Sequence, residues 1–350
     1  MATLVTLDDS KPSPADIVRT GLSAKTMLWI GLAVSLAITA LIAALNPLLD
    51  RFVLLPDQGP AWYVWKLPAP TFWTHATAWG GYLIHQVGLW ALIWFAQSRV
   101  RKYTSGLHTV NIAALAFNVL MIGLHLLQTH IWYDGLAQDT SIFSSQGSVI
   151  VLLVWVLLME NPRRGLFFGK KVKFSEAVIR FARKYHGYFF AWATVYTFWF
   201  HPMVSTPGHL VGFMYMFMLL LQGSLFLTRI HTNKWWTFAQ EITVLAHGTM
   251  VAIVQGAGLW PMFLFGFGGI FLITQMHGLG LPNWLKWVFF GVYVAGVIAV
   301  YNGRWLDANE VIRIPIIDYV AVFVLFGLIW LGMWMTRFVR DRLSPQPEAS

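Results

Sequence analysis

Ten apolar runs divide this chain, most of them close to the ~20 residues that a helix needs to cross a bilayer. The first five fall at about 27–47, 74–97, 106–131, 146–160 and 185–203. The second five fall at about 206–229, 237–256, 260–277, 285–302 and 313–336. The fourth is short and is expected to start inside the polar stretch QDTSIFSSQGS. The eighth is rich in glycine (Gly266, Gly268, Gly269), so it is expected to break or to pack closely on a neighbour. No repeat at a fixed period is visible. The pattern predicts an all-α polytopic integral membrane protein, a bundle of about ten transmembrane helices over 27–338. Polar tails are expected at 1–26 and 339–350. The first 26 residues lack a short apolar core ending in small residues, so the first run is expected to be a retained span rather than a cleaved signal.

Charge placement orients these spans. With the N-terminus inside, 20 of the 24 Lys and Arg fall on cytoplasmic segments. Only Arg51, Lys66, Arg304 and Arg313 fall outside, which predicts an even number of spans and both termini cytoplasmic. The longest basic segment is 161–184, whose last third places Val178, Ile179 and Ala182 opposite Arg180 and Arg183. An interfacial amphipathic helix is expected there. Segment 46–70 is Pro-rich and aromatic and is expected to cap the outer interface.

Composition removes several classes. The chain is 57% hydrophobic and only 11% charged, far from a soluble domain at about 25%. Cysteine is absent, which excludes disulfides, thiolate metal sites and any iron–sulfur cluster. The net charge of +9 follows from the cytoplasmic loops, so no nucleic-acid partner is implied. The expected surroundings are a lipid bilayer, taken to be a bacterial plasma membrane, with other membrane subunits or a quinone as partners.

Eleven histidines supply the candidate chemistry. Five lie between Tyr185 and Met250: His186, His201, His209, His231 and His247. Ionisable groups inside apolar runs are costly and commonly functional, although a histidine there also serves simply as a hydrogen-bond donor between helices. In the third run His108, Asn111, Asn118, His125 and Thr129 share one face at the ~3.6-residue period. In the fifth run His186 and His201 lie on one side, with Ala193 between them leaving room for a flat ring. Two helices with an inner and an outer histidine each could hold two b-type haems, ligated by His108, His125, His186 and His201. This likeness to dihaem membrane cytochromes is one of spacing alone. A transition metal is a second candidate ligand, with His130, His209 and His231 as donors. The sequence HLLQTH is not HExxH, and the Pro residues of HPMVSTPGH explain a turn without any metal.

Glu241 is the clearest acid within a predicted span, with His247 further along the same helix; these two are expected to handle protons. Arg229 and His231 are its expected partners. No phosphate-binding loop or GxSxG elbow is present. The leading expectation is a membrane oxidoreductase or electron-transfer protein using haem b, a quinone, or both. A proton-coupled secondary transporter, a lipid-modifying enzyme and a non-catalytic membrane subunit are the alternatives.

Overall fold

Each of the ten apolar runs forms an α-helix in the computed structural model, which describes residues 19–59, 65–99, 103–256 and 258–343. The first five are α1 (Ala24–Leu45), α2 (Phe72–Arg99), α3 (Thr109–Trp132), α4 (Ile142–Arg164) and α5 (Glu176–Phe200). The others are α6 (Pro207–Ser224), α7 (Lys234–Val254), α8 (Trp260–Ile273), α9 (Asn283–Tyr301) and α10 (Glu310–Leu343). Among the described residues six helical segments are long and apolar enough to cross a bilayer, by length and composition. They contain α1, α3, α4, α7, α9 and α10. The other four are shorter or more polar. Residues 1–18 and 344–350 of the expected tails, the basic Lys11, Arg101 and Lys102, and residues 60–64 of the expected outer cap lie outside the described residues.

Local chemistry sets most boundaries. Ser23, Ser141, Thr206 and Asn233 cap α1, α4, α6 and α7 by accepting hydrogen bonds from first-turn N–H groups. The Ser141 cap explains why α4 starts within the polar stretch. Three expectations are amended. The third helix begins later than its apolar run, because β1 (Arg19–Ser23) pairs antiparallel with β2 (Gly106–His108) and α3 starts only after β2; apart from this short pair the described elements are all helical. The amphipathic segment is the first part of α5 rather than a separate interfacial helix. Its apolar residues Val178, Ile179 and Ala182 bury against α4, and Trp155 Nε1 donates to the Ala182 carbonyl at 2.9 Å. The eighth run stops as an α-helix at Ile273 and continues as a short 3-10 turn, Gln275–Gly278.

The loops gather at two ends. At one end Thr104 N donates to Leu227 O, Arg229 N to Thr104 O, and Phe168 N to Ile273 O. This end carries the basic 161–184 segment and is called the basic end. At the opposite end Leu49, Tyr133 and Val204 form a small core under Phe52, Trp65 and Leu67. His75 and Trp79 both reach the Asp139 carboxylate there, at 2.8 and 2.7 Å. The largest core joins α2, α3, α5 and α6 around Met121, Phe198, Trp199 and Phe213. A second core joins α4, the start of α5, α8 and α10. Gly266 permits the contact of α8 with α10, since a Cβ there would lie 2.8 Å from Ile314.

Candidate functional site

The polar stripe of α3 turns inward, as its period implies, and its residues are buried. Most of them are occupied by other parts of the chain. Asn111 donates to the carbonyls of Ser224 and Phe226 at 2.8 and 2.9 Å, which fixes α3 to the end of α6. Thr129 accepts from Met203 N at 3.1 Å. His108 precedes α3, where its backbone N–H donates to Asn111 Oδ1 and its Nε2 lies 3.2 Å from Thr104 Oγ1.

His125 is fully buried, and both of its ring nitrogens are engaged. Nε2 donates to the His201 carbonyl at 2.9 Å, so Nδ1 is the acceptor. Gln128 lies 3.1 Å from Nδ1, and its amide completes the pair once its NH2 faces the ring. The Trp199 indole covers the imidazole at 4.3 Å between ring centroids. The expected outer haem pair therefore meets as imidazole to backbone carbonyl, with no ring nitrogen of His125 left for a metal. His201 itself lies just past α5, its ring 5.3 Å from that of His209. His209 is held through Nδ1 by Thr206 Oγ1 at 2.7 Å. His130 donates through Nδ1 to Leu126 O at 2.8 Å, a bond within its own helix. His247 packs on α6, where Gly212 leaves room for it: a Cβ at Gly212 would lie 2.8 Å from Nε2.

One further histidine, outside the expected site, organises the main core. His85 accepts from Trp199 Nε1 at 3.1 Å and donates through Nε2 to Asn118 Oδ1 at 2.7 Å. Asn118 Nδ2 donates to Ser224 Oγ at 2.8 Å, and Ser224 donates to Leu220 O. The chain Trp199–His85–Asn118–Ser224 ties α5, α2, α3 and α6 together without a free polar atom on the imidazole.

At the basic end the arrangement is different. His186 on α5 donates through Nδ1 to Arg183 O at 2.6 Å. His231, between α6 and α7, donates through Nδ1 to Gln222 O at 2.9 Å. These bonds fix both tautomers with the lone pair on Nε2, and among the described residues neither Nε2 has a hydrogen-bond partner. The two rings lie 5.8 Å apart, centroid to centroid. Burial and the neighbouring His186 push the His231 imidazole down to about 4, which keeps it neutral. Both rings line a cavity of about 740 Å³, within the range of sites for cofactor-sized ligands. Apolar side chains such as Ile93, Leu152, Phe190 and Ile270 make up most of its wall, and Arg163, Arg183 and Lys184 also reach it.

Glu241 lines the same cavity but meets neither Arg229 nor His231. Its two carboxylate oxygens accept from Arg164 Nη1 at 2.6 and 2.9 Å. Arg164, the last residue of α4, is only 3% exposed. Sequence reading sets it among the orienting charges of the basic segment, and nothing in its position along the chain marks it as buried. Asp318, in the first third of α10, also lines this cavity. The close α8–α10 contact accounts for it, since Tyr319 reaches Thr274 Oγ1 at the basic end of α8 at 2.7 Å.

The nine expected site residues thus divide, with His247 packed on Gly212 of α6 and not among the residues lining the cavity. His186, His231 and Glu241 share the basic-end cavity. His201 and His209 touch at the opposite end, next to His125, while His108 and His130 serve local structure. Among the described residues no group of three or more His, Asp or Glu side chains is placed to hold one metal ion. Comparison with protein-family models, curated proteins and solved structures finds no match for this chain.

Proposed function

We propose that this chain is a bacterial plasma-membrane protein with ten spans and both termini cytoplasmic. In this reading it holds one b-type haem between His186 and His231 and acts in electron transfer. One observation carries the reading: two neutral imidazoles, 5.8 Å apart, each tied through Nδ1–H to a backbone carbonyl, both lining one large apolar cavity. That is the donor set a low-spin haem iron takes, and the carbonyls act as the outer shell that orients ligating imidazoles. His186 and His231 would be the residues that hold the iron, each through its Nε2. Arg183 and Lys184, which also line the cavity beside His186, would meet the carboxylates of the macrocycle. When bound, the haem supplies a one-electron ferric–ferrous couple. The protein's own part is to fix the imidazoles, exclude water by its apolar wall and balance charge.

This reading keeps His186 from the expected ligand set and replaces its partner. A haem between His125 and His201 has no support, because both nitrogens of His125 are bonded to protein. The absorption spectrum of the purified protein tests the proposal. A Soret band with stoichiometric iron is expected, lost in His186→Ala and His231→Ala and kept in His125→Ala. Absence of the band and of iron in the wild-type protein would overturn it.

A second reading rests on Arg164–Glu241. A buried ion pair lining a cavity between helices also suits a proton-coupled transporter. Uptake driven by a proton gradient and abolished in Glu241→Gln would favour it.

A further inference from the structure

The α4–α7–α10 wall of the cavity carries polar groups that the haem proposal leaves unused. Arg164 gives only Nη1 to Glu241, and its Nε and Nη2, the two donors of one guanidinium edge, have no partner among the described residues. Gln240 is 7% exposed and its Nε2 is also without a partner. Asp318 is 2% exposed and its Oδ2 is without a partner too. All three residues line the cavity. A buried polar atom left unbonded costs about 1–3 kcal/mol, so three such side chains on one wall point to a ligand that satisfies them.

The chemistry of the three narrows the ligand. Arg164 is already balanced by Glu241, and the neighbouring Arg163 by Glu160, so this wall has no unpaired positive charge for an anion. What it offers is N–H donors on α4 and α7 and a carboxyl group on α10. We infer that this wall binds the head of a quinone, a neutral ring with two opposed oxygens. Arg164 and Gln240 donate to one oxygen, and the Asp318 carboxyl meets the other. A carboxyl group suits both states of such a ring: protonated it donates to a quinone carbonyl, and ionised it accepts from a hydroquinone hydroxyl. The apolar remainder of the wall, with Leu153, Val156, Leu157 and Phe267, suits the ring edge and an isoprenoid-like tail.

This inference deepens the reading of the cavity as a redox site and rests on it for biological sense, but its test is a binding measurement. Decylubiquinone is titrated into the purified full-length protein in detergent, and binding is followed by quenching of tryptophan fluorescence. Saturable binding is expected in the wild type. Gln240→Leu and Asp318→Leu should each weaken it about tenfold, the worth of one buried hydrogen bond. Asp318→Asn, which keeps a donor and an acceptor, should stay within a few-fold of wild type. Each variant should keep the wild-type Soret band, which reports the His186–His231 end independently and shows that the fold is intact. No saturable binding in the wild type, or wild-type affinity in both Gln240→Leu and Asp318→Leu, overturns the inference. Quinone binding that these substitutions weaken, in a protein without a Soret band, upholds the inference and removes the haem. A Soret band without quinone binding does the reverse.

Discussion

At the basic end His186 and His231 each give one ring nitrogen to a backbone carbonyl and keep the other, beside open space. In the main core and at the opposite end His85 and His125 give both, and aromatic rings close over them. The residue type is the same, but His85 and His125 are fully buried within helices, whereas His186 and His231 are only partly buried and His231 lies in a turn. What separates a candidate ligand from a structural histidine is the state of its second nitrogen and whether a cavity or a side chain lies beyond it. A satisfied imidazole between helices acts as a polar cross-link, worth about as much as its hydrogen bonds. An imidazole nitrogen left open towards a cavity is available to water or to a ligand.

The largest expected effect breaks the comparison directly. His186→Ala or His231→Ala should abolish the Soret band while leaving the helical circular dichroism near wild type. His125→Ala should leave the band and lower thermal stability instead. If His125→Ala removes haem with the fold intact, the contrast between the two ends fails.

How much of this was legible beforehand depends on the kind of signal. The helices were, because a run of about 20 apolar residues has few other solutions in lipid. The inward face of α3 was, because Asn111, Asn118, His125 and Thr129 recur at the helical period. The pairing of His186 was not. Its neighbour His231 sits in a turn, outside any helical face, and the two meet only through the packing of α5 on α6. Arg164 differs for a related reason: a basic residue in a segment with seven others reads as a surface charge, yet its turn at the end of α4 tucks it against α7. The β1–β2 pair was invisible because a three-residue strand such as β2 has no period of its own.

The next effect concerns the ion pair behind the proposed haem. Removing one partner of a buried pair typically costs about 3–5 kcal/mol, because the other charge is left uncompensated. Glu241→Gln should therefore lower the apparent Tm strongly, and Arg164→Gln with Glu241→Gln together should recover part of the loss. The measurement is thermal unfolding in detergent. A double variant as unstable as the sum of the two singles would show that the residues do not act as a pair.

A smaller change probes the closed histidine chain. His85→Leu keeps the bulk but leaves Trp199 Nε1 and Asn118 Oδ1 without partners, at about 1–3 kcal/mol. Haem content should not change. Loss of haem in this variant would mean that the core and the cavity are one site.

The smallest effect is a pH slope at the end opposite the cavity. Asp134 is 2% exposed, and burial, with a minor contribution from Asp139, raises its carboxyl from 3.8 to about 8. The Gly135 N–H donates to Oδ1 at 2.7 Å, and this bond and Lys66 act the other way. A carboxyl whose folded value lies above its unfolded one binds its proton more tightly when folded. Its contribution to stability is complete below pH 4 and is lost as pH rises towards 8. Between pH 6 and 7 this carboxyl alone loses about 1.4 kcal/mol, while an imidazole held low in the folded state, such as His231, changes stability in the opposite direction there. The Asp134 part is therefore the difference between the wild-type and Asp134→Asn profiles, and Asp134→Asn should leave the Soret band unchanged. The same difference should appear when Asp134→Asn is compared with its parent in a His186→Ala background. If that difference changes with the His186 substitution, titration at the two ends is coupled and they cannot be treated as separate regions.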